Sequence, residues 1–313
     1  MIVAAGLGLF DFPFSGARAF WRWVDLCESG GVDSLWQSDR LVGEQPMLEC
    51  MSTMAALAGA TRRIKFGMNV ASVGLRDPVL LARQCATIDM LSEGRLLPAF
   101  GIGSPHSADW KGTGTSTRGR GQRSDEALHI IAALWRGERV SFEGRFHRCE
   151  DAVIAPLPVQ RKLPLWIGGS SEAAIARTAR IGTGWMGGRE TPAEAARVVG
   201  AIQQAAQALG RRVPADHFGV GVYFRIGEPD DPAVQAETAK LRARFPDRDP
   251  SGTIAAGSAP VILARLREYV AAGVTKFVLR PVARGDDDFI DQTRRYIEQV
   301  RPELGALSAA APA

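Results

Sequence analysis

The stretch KFGMNVASVGLRDPVLLARQCATIDMLSEGRLLPAFGIGS, residues 65–104, holds strand, loop, helix, tight turn, strand and glycine-rich exit in that order. Lys65 to Val73 is rich in β-branched and small residues, which suit a pleated strand. Asp77-Pro78 opens a helix, since proline is tolerated in a first turn and aspartate caps it. Val79, Leu80, Ala82, Cys85, Ala86, Ile88 and Met90 then fall at helical spacing. Gly94 ends that helix, and Leu96 to Phe100 is a short apolar run of the kind buried on both faces of a sheet. Such βα steps imply parallel strands with helices outside. Chemistry in these folds sits in loops at the carboxyl ends of strands, here Asn69-Val70-Ala71-Ser72 and Gly101-Ile102-Gly103-Ser104.

The alternation continues both ways. Val3 to Leu9 reads as a strand, Ala17 to Ser29 as an amphipathic helix stopped by Gly30-Gly31, Val32 to Trp36 as a strand and Leu48 to Gly59 as a helix. Beyond Gly103 an irregular segment, 104–122, leads to a helix from Arg123 to Arg136 and a small hairpin, 140–147. Leu165-Trp166-Ile167, Thr183 to Met186, Phe218 to Ile226 and Lys276 to Leu279 read as further strands, separated by helices at 172–180, 192–209 and 259–272 and followed by one at 287–300. Residues 229–257 are polar, rich in Asp and Pro and partly helical, an expected insertion or lid, and 305–313 an expected frayed tail. About eight strands alternating with helices match a single (β/α)8 TIM barrel with insertions, spanning 1–313. A doubly wound sheet is the alternative, but the third glycine of a dinucleotide fingerprint after Gly101-x-Gly103 is replaced by His106.

Composition narrows the function classes. The chain of 313 residues is 46% hydrophobic and 23% charged, with a net charge of only +4. Five of its 38 basic residues are lysines and the rest arginines, with no basic run interleaved with aromatics, so nucleic-acid binding is not expected. Cys27, Cys50, Cys85 and Cys149 form no CxxC pair, so no metal site or disulfide framework is expected, and a reducing cytoplasm suits them. No apolar run approaches a membrane span.

Several of these segments resemble, in order, the bacterial luciferase-like superfamily. They are RDPVLLARQCATIDMLSEGRL (76–96), RGQRSDEAL (120–128), LPLWIGGSS (163–171), ARIGTGW (179–185) and AAGVTKFVLRP (271–281). The resemblance implies a (β/α)8 barrel that is an enzyme using FMN as an oxygenase, or an 8-hydroxy-5-deazaflavin coenzyme for hydride transfer. It further implies a small-molecule substrate, a separate flavin reductase and a homodimer, for which the helices at 48–57 and 79–91 offer apolar faces. A non-catalytic flavin-binding barrel and a sugar-processing barrel using Asp39 and Glu44 are further alternatives.

Site residues follow from the same matches. Gly168, Gly169, Ser170 and Ser171 form either a capped βα turn or an anion site at a helix start; the resemblance points to the flavin phosphate. Gly184 and Trp185 follow, with Thr183 where relatives carry aspartate. Asn69 and Val70 occupy the place of a non-prolyl cis peptide beside the flavin ring. Gly101, Gly103 and Ser104 leave room for a ring or ribityl chain. Arg120 matches an arginine that reaches phosphate, or is a solvated ion pair. His106 is either a surface residue or an active-site group. Relatives carry an acidic residue and histidine at the second strand end, where this chain has Asp39 and Arg40. Arginine keeps its proton, so Arg40 is no general base; it can pair with a substrate anion or a negative flavin. That leaves oxygenation open and puts alcohol oxidation by proton abstraction in doubt. Phe10, Trp36, Met68 and Trp185 are expected apolar walls, and the segments 104–122 and 229–257 expected covers.

Overall fold

Parallel strands close into a barrel in this computed structural model, which describes residues 2–247 and 249–309. In chain order they are Ala4–Leu9, Ser34–Gln37, Lys65–Met68, the split strand Leu96–Leu97 and Ala99–Gly101, Trp166–Gly168, Gly184–Gly187, Phe218–Ile226 and Lys276–Pro281. Neighbours pair in parallel, and the last strand pairs with the first from Ala4↔Lys276 to Leu7↔Leu279. The circle is completed across the fourth strand. Leu96 and Leu97 face Phe66 and Gly67, while Ala99 and Phe100 face Trp166 and Ile167. The fold is thus the α/β barrel that the alternation implies.

Local chemistry explains the elements. Asp77 caps helix Pro78–Leu91 by accepting from the Leu80 amide at 2.8 Å. Thr191 and Glu194 form a reciprocal capping box at the start of Pro192–Ala208. Helix Ala17–Ser29 buries Phe20, Trp23, Val24 and Cys27 against the barrel. Fully buried Leu7, Phe66, Phe100, Phe218 and Phe277 belong to the same core. At the amino ends of the strands, Lys276 forms a short ion pair with Asp33.

Five segments differ from expectation. The expected strands 65–73 and 96–100 are each interrupted, the second at Pro98, which has no N–H to give to the ladder. The irregular 104–122 segment contains a short helix, Ala108–Gly112, and the helix after it begins at Arg120, preceded by Gly119 at φ 72°. Residues 229–257 hold helix Pro232–Arg244 and strand Ile254–Gly257, which pairs in parallel with Phe218–Ile226. That segment has its own small core of Tyr223, Ala233, Val234, Leu241, Ile254 and Val282. The tail expected to fray from 305 is helical over Leu304–Ala309, with Leu304 and Leu307 buried; residues 310–313 lie outside the described residues. The hairpin pairs Val140–Glu143 with Arg148–Ala152.

Candidate active site

A cavity of about 830 Å3 opens at the carboxyl ends of the barrel strands, a size that suits a cofactor with a small substrate. Two arcs of unlike chemistry line it. The first is neutral and comes from the third, fourth and fifth strand ends: Asn69, Val70, Ser72, Gly101, Gly103, Ser104, Gly168, Gly169 and Ser170. The Asn69–Val70 peptide is cis. Val70 packs so closely on Gly101 and Gly168 that a Cβ there would lie 2.7 and 3.0 Å from its methyl carbons. The Asn69 amide Nδ2 is buried and has no hydrogen-bond partner. A planar polar ligand with acceptor atoms fits this arc, because it would rest on backbone and satisfy that donor.

The second arc is cationic. Arg40, Arg189, Arg244 and Arg280 line it, with Phe10 and Phe245 between them. The carboxylates that reach the cavity are already engaged. Asp39 accepts from Ser72 N at 2.9 Å and pairs with Arg76 at 2.7 Å, its side chain 1% exposed. Asp109 accepts from Leu41 N, Val42 N and the Ser107 hydroxyl at 3.0, 2.7 and 2.8 Å. Glu190 accepts from the Ser170 hydroxyl at 2.6 Å and from Arg189 N at 3.0 Å. Asp39, Glu49 and Cys50 stand close enough to suggest a metal site. Arg76 already sits among them, with Nη2 2.7 Å from Asp39, 3.0 Å from Glu49 and 3.3 Å from the Cys50 sulfur. Burial and the neighbouring Asp39 push the Cys50 thiol well up, so it stays protonated.

The structure gathers most of the residues singled out from sequence. Asp39, Arg40, His106, Asn69, Val70, Gly101, Gly103, Ser104, Gly168, Gly169 and Ser170 line the cavity, His106 as an exposed rim residue. Ser171 instead caps helix Glu172–Ile181 through the Ala174 amide. Arg120 starts its helix away from the lining. Gly184 is packed against Trp166 and the His217 carbonyl. Trp185 is wholly buried and acts indirectly, its indole N–H donating to the Gly169 carbonyl at 2.8 Å. Of the expected apolar walls Phe10 faces the cavity; Trp36 and Met68 belong to the core, and Met186 lines it instead.

Sequence reading passed over Arg189, Arg244, Phe245, Arg280 and Trp110. Arg280 did carry a signal: it is a charge within Lys276–Pro281, a strand buried at every position, where an unpaired charge is costly. Arg189 and Phe245 also wall off a second cavity of about 300 Å3 beside Thr191, Glu194, Leu241 and Pro250. The segment expected as a lid thus supplies two wall residues, Arg244 and Phe245.

A parallel barrel with a ligand cavity at its carboxyl face, a neutral arc beside a cationic one, is the class of protein that this geometry defines. The chain belongs to the luciferase-like monooxygenase family, whose model matches residues 11–249. An uncharacterized Mycobacterium tuberculosis protein, Rv0940c, is 31% identical over 171 residues, 54% of this chain and 58% of that protein. The match thus spans little more than half of that relative's length. An F420-dependent glucose-6-phosphate dehydrogenase from Kineococcus radiotolerans is 25% identical, covering 85% of this chain and 87% of its own. Among solved structures, the monooxygenase RslO1 from Streptomyces bottropensis superposes with a TM-score of 0.83 at 20% identity, covering 96% of this chain and 99% of its own. The oxygenating constituent of 3,6-diketocamphane monooxygenase from Pseudomonas putida, in complex with FMN, gives 0.79 at 16% identity, covering 100% and 99%.

Proposed function

We propose that this protein is a flavin-dependent oxidoreductase, an FMN-dependent monooxygenase that takes reduced flavin from a separate reductase and oxygenates a small organic substrate. The observation that carries this reading is the neutral arc. Gly101 and Gly168 make room for Val70 at the cavity wall, and the partnerless Asn69 amide suits a ring carbonyl or nitrogen. When bound, FMN would supply the electrons and the activation of oxygen. Gly168, Gly169 and Ser170 would hold its phosphate end at the start of the following helix. Ser104 and Trp110, whose indole N–H donates to the Ser104 carbonyl at 2.8 Å, would close the side and exclude water. No carboxylate that reaches the cavity is free of internal donors, and Arg40 cannot take a proton; both features favour oxygenation over a base-dependent alcohol oxidation. A homodimer is part of the reading, since helix Pro78–Leu91 leaves Leu80, Met90 and Leu91 exposed.

Hydride transfer with coenzyme F420 is the second reading, favoured by the likeness to the Kineococcus dehydrogenase along most of the chain. Calorimetric titration with FMN, anaerobically reduced FMN and F420 separates the two. Tightest binding of reduced FMN, with reoxidation slower than that of free flavin once air is admitted, is the expected result. Preference for F420 moves the protein to hydride transfer. Binding of none overturns both.

A further inference from the structure

We propose that the cationic arc binds an anionic, planar organic substrate, with Arg280 pairing with its carboxylate or sulfonate. The inference names the substrate class for the activity proposed above and rests on the cofactor occupying the opposite, neutral arc.

Arg280 is 5% exposed, yet no carboxylate among the described residues lies within ion-pair distance of it. Its Nε is buried without a hydrogen-bond partner. The guanidinium stands 5.2 Å from the Phe10 ring and 5.3 Å from the Tyr223 ring. Such ring contacts offset only part of the loss of water around a buried charge. Glu237 is near enough to feel that charge without pairing with it, and an anion entering the cavity would supply the close partner.

The surroundings point the same way. Around Phe10, four cations (Arg40, Lys240, Arg244 and Arg280) meet two carboxylates, Asp11 and Glu237. Asp11 is divided between Arg40 at 3.6 Å and Lys240 at 2.9 Å, and Glu237 lies 3.9 Å from Lys240. Arg244 and Arg280 make no close ion pair among the described residues and feel Glu237 only from farther off. Burial and the nearby Arg40 pull the Arg244 guanidinium down, and the carboxylates of Asp11 and Glu237 offset them only in part. Burial raises Glu237, while Lys240, Arg280 and Arg244 pull against it. Arg244 lies over Phe10 at 4.6 Å and Phe245 at 5.5 Å. Flat apolar walls beside forked donors suit an aromatic acid better than a bare inorganic anion.

The test uses 2-naphthoate and 2-naphthalenesulfonate as anionic probes, with 2-naphthamide as the neutral shape control. Each is titrated by calorimetry into the full chain and its Arg280→Gln and Arg280→Lys variants, alongside FMN and F420. Expected are binding of an anion over the amide in the native chain and a loss of at least about tenfold in Arg280→Gln. Partial recovery in Arg280→Lys and FMN affinity changed less than twofold should accompany it. Equal binding of acid and amide to the native chain overturns the proposal without any variant having to fold. So does a fall in FMN or F420 affinity with anion binding intact, which assigns Arg280 to the cofactor. Failure of both cofactors to bind, with anion binding retained, sinks the functional reading and leaves the anion site standing.

Discussion

Arg76 shows how one side chain can settle what its neighbours do. Its guanidinium neutralises Asp39 and Glu49 and approaches the Cys50 sulfur. Asp39, a candidate site residue at the second strand end, is held by this pairing and also fixes the Ser72 amide. Removing one member of a buried pair leaves the other charge uncompensated, so Arg76→Met should cost about 3–5 kcal/mol. Urea unfolding measures it, and adding Asp39→Asn should recover part of the loss. An unchanged midpoint would show that Asp39 needs no counter-charge. This pairing was not legible beforehand, because the partners are far apart in the chain. Trp185 was misplaced for another reason. The sixth strand runs on to Gly187, so the residues it brings to the cavity are Met186, Gly188, Arg189 and Glu190 rather than the Gly184-Trp185 pair. A residue's motif was readable; the point where its strand ends was not.

Elements were legible wherever punctuation was local. Helix Ala17–Ser29 lies between Gly16 and Gly30, and its bounds agree with the sequence reading to the residue. Helix Pro232–Arg244 falls in a segment read as partly helical, and Asp231 caps it by accepting from the Ala233 amide at 2.7 Å. The hairpin depends on a residue outside it. Glu126 accepts from the Arg145, Phe146 and His147 amides at 3.1, 2.8 and 3.0 Å. Burial opposes its ionisation, but these three donors outweigh burial and hold its carboxyl below the ordinary 4.5. Stability from this cap is therefore complete above pH 4.5 and drains as pH falls through the lower native value. Melting temperature should drop between pH 7 and pH 4 less in Glu126→Gln than in the native chain. Equal drops would show that the carboxylate contributes nothing to the acid response.

At the scale of the whole barrel, the alternation of strands and helices was enough to name the architecture, because each βα step is a local pattern. The gathering of arginines at its mouth was not. Arg40, Arg189, Arg244 and Arg280 come from four separated segments, and nothing local shows that they converge. Strand lacing around the barrel is uneven. The seventh and eighth strands are in register over six residue pairs, Gly219↔Lys276 to Phe224↔Pro281. The fourth strand, divided at Pro98, is held by short runs of two pairs each: Phe66↔Leu96 and Gly67↔Leu97 with the third, Ala71↔Phe100 and Ser72↔Gly101 with the piece that follows it, and Ala99↔Trp166 and Phe100↔Ile167 with the fifth. Cooperative opening starts where few bonds must break. In deuterated water the amides of Leu96 to Gly101 should therefore exchange before those of Phe218 to Ile226, as mass spectrometry of peptic fragments would record. A uniform exchange front would contradict this. The thinly laced side is also the one that carries the glycine-lined arc, so a molecule seated there would act as a clasp across the barrel's seam.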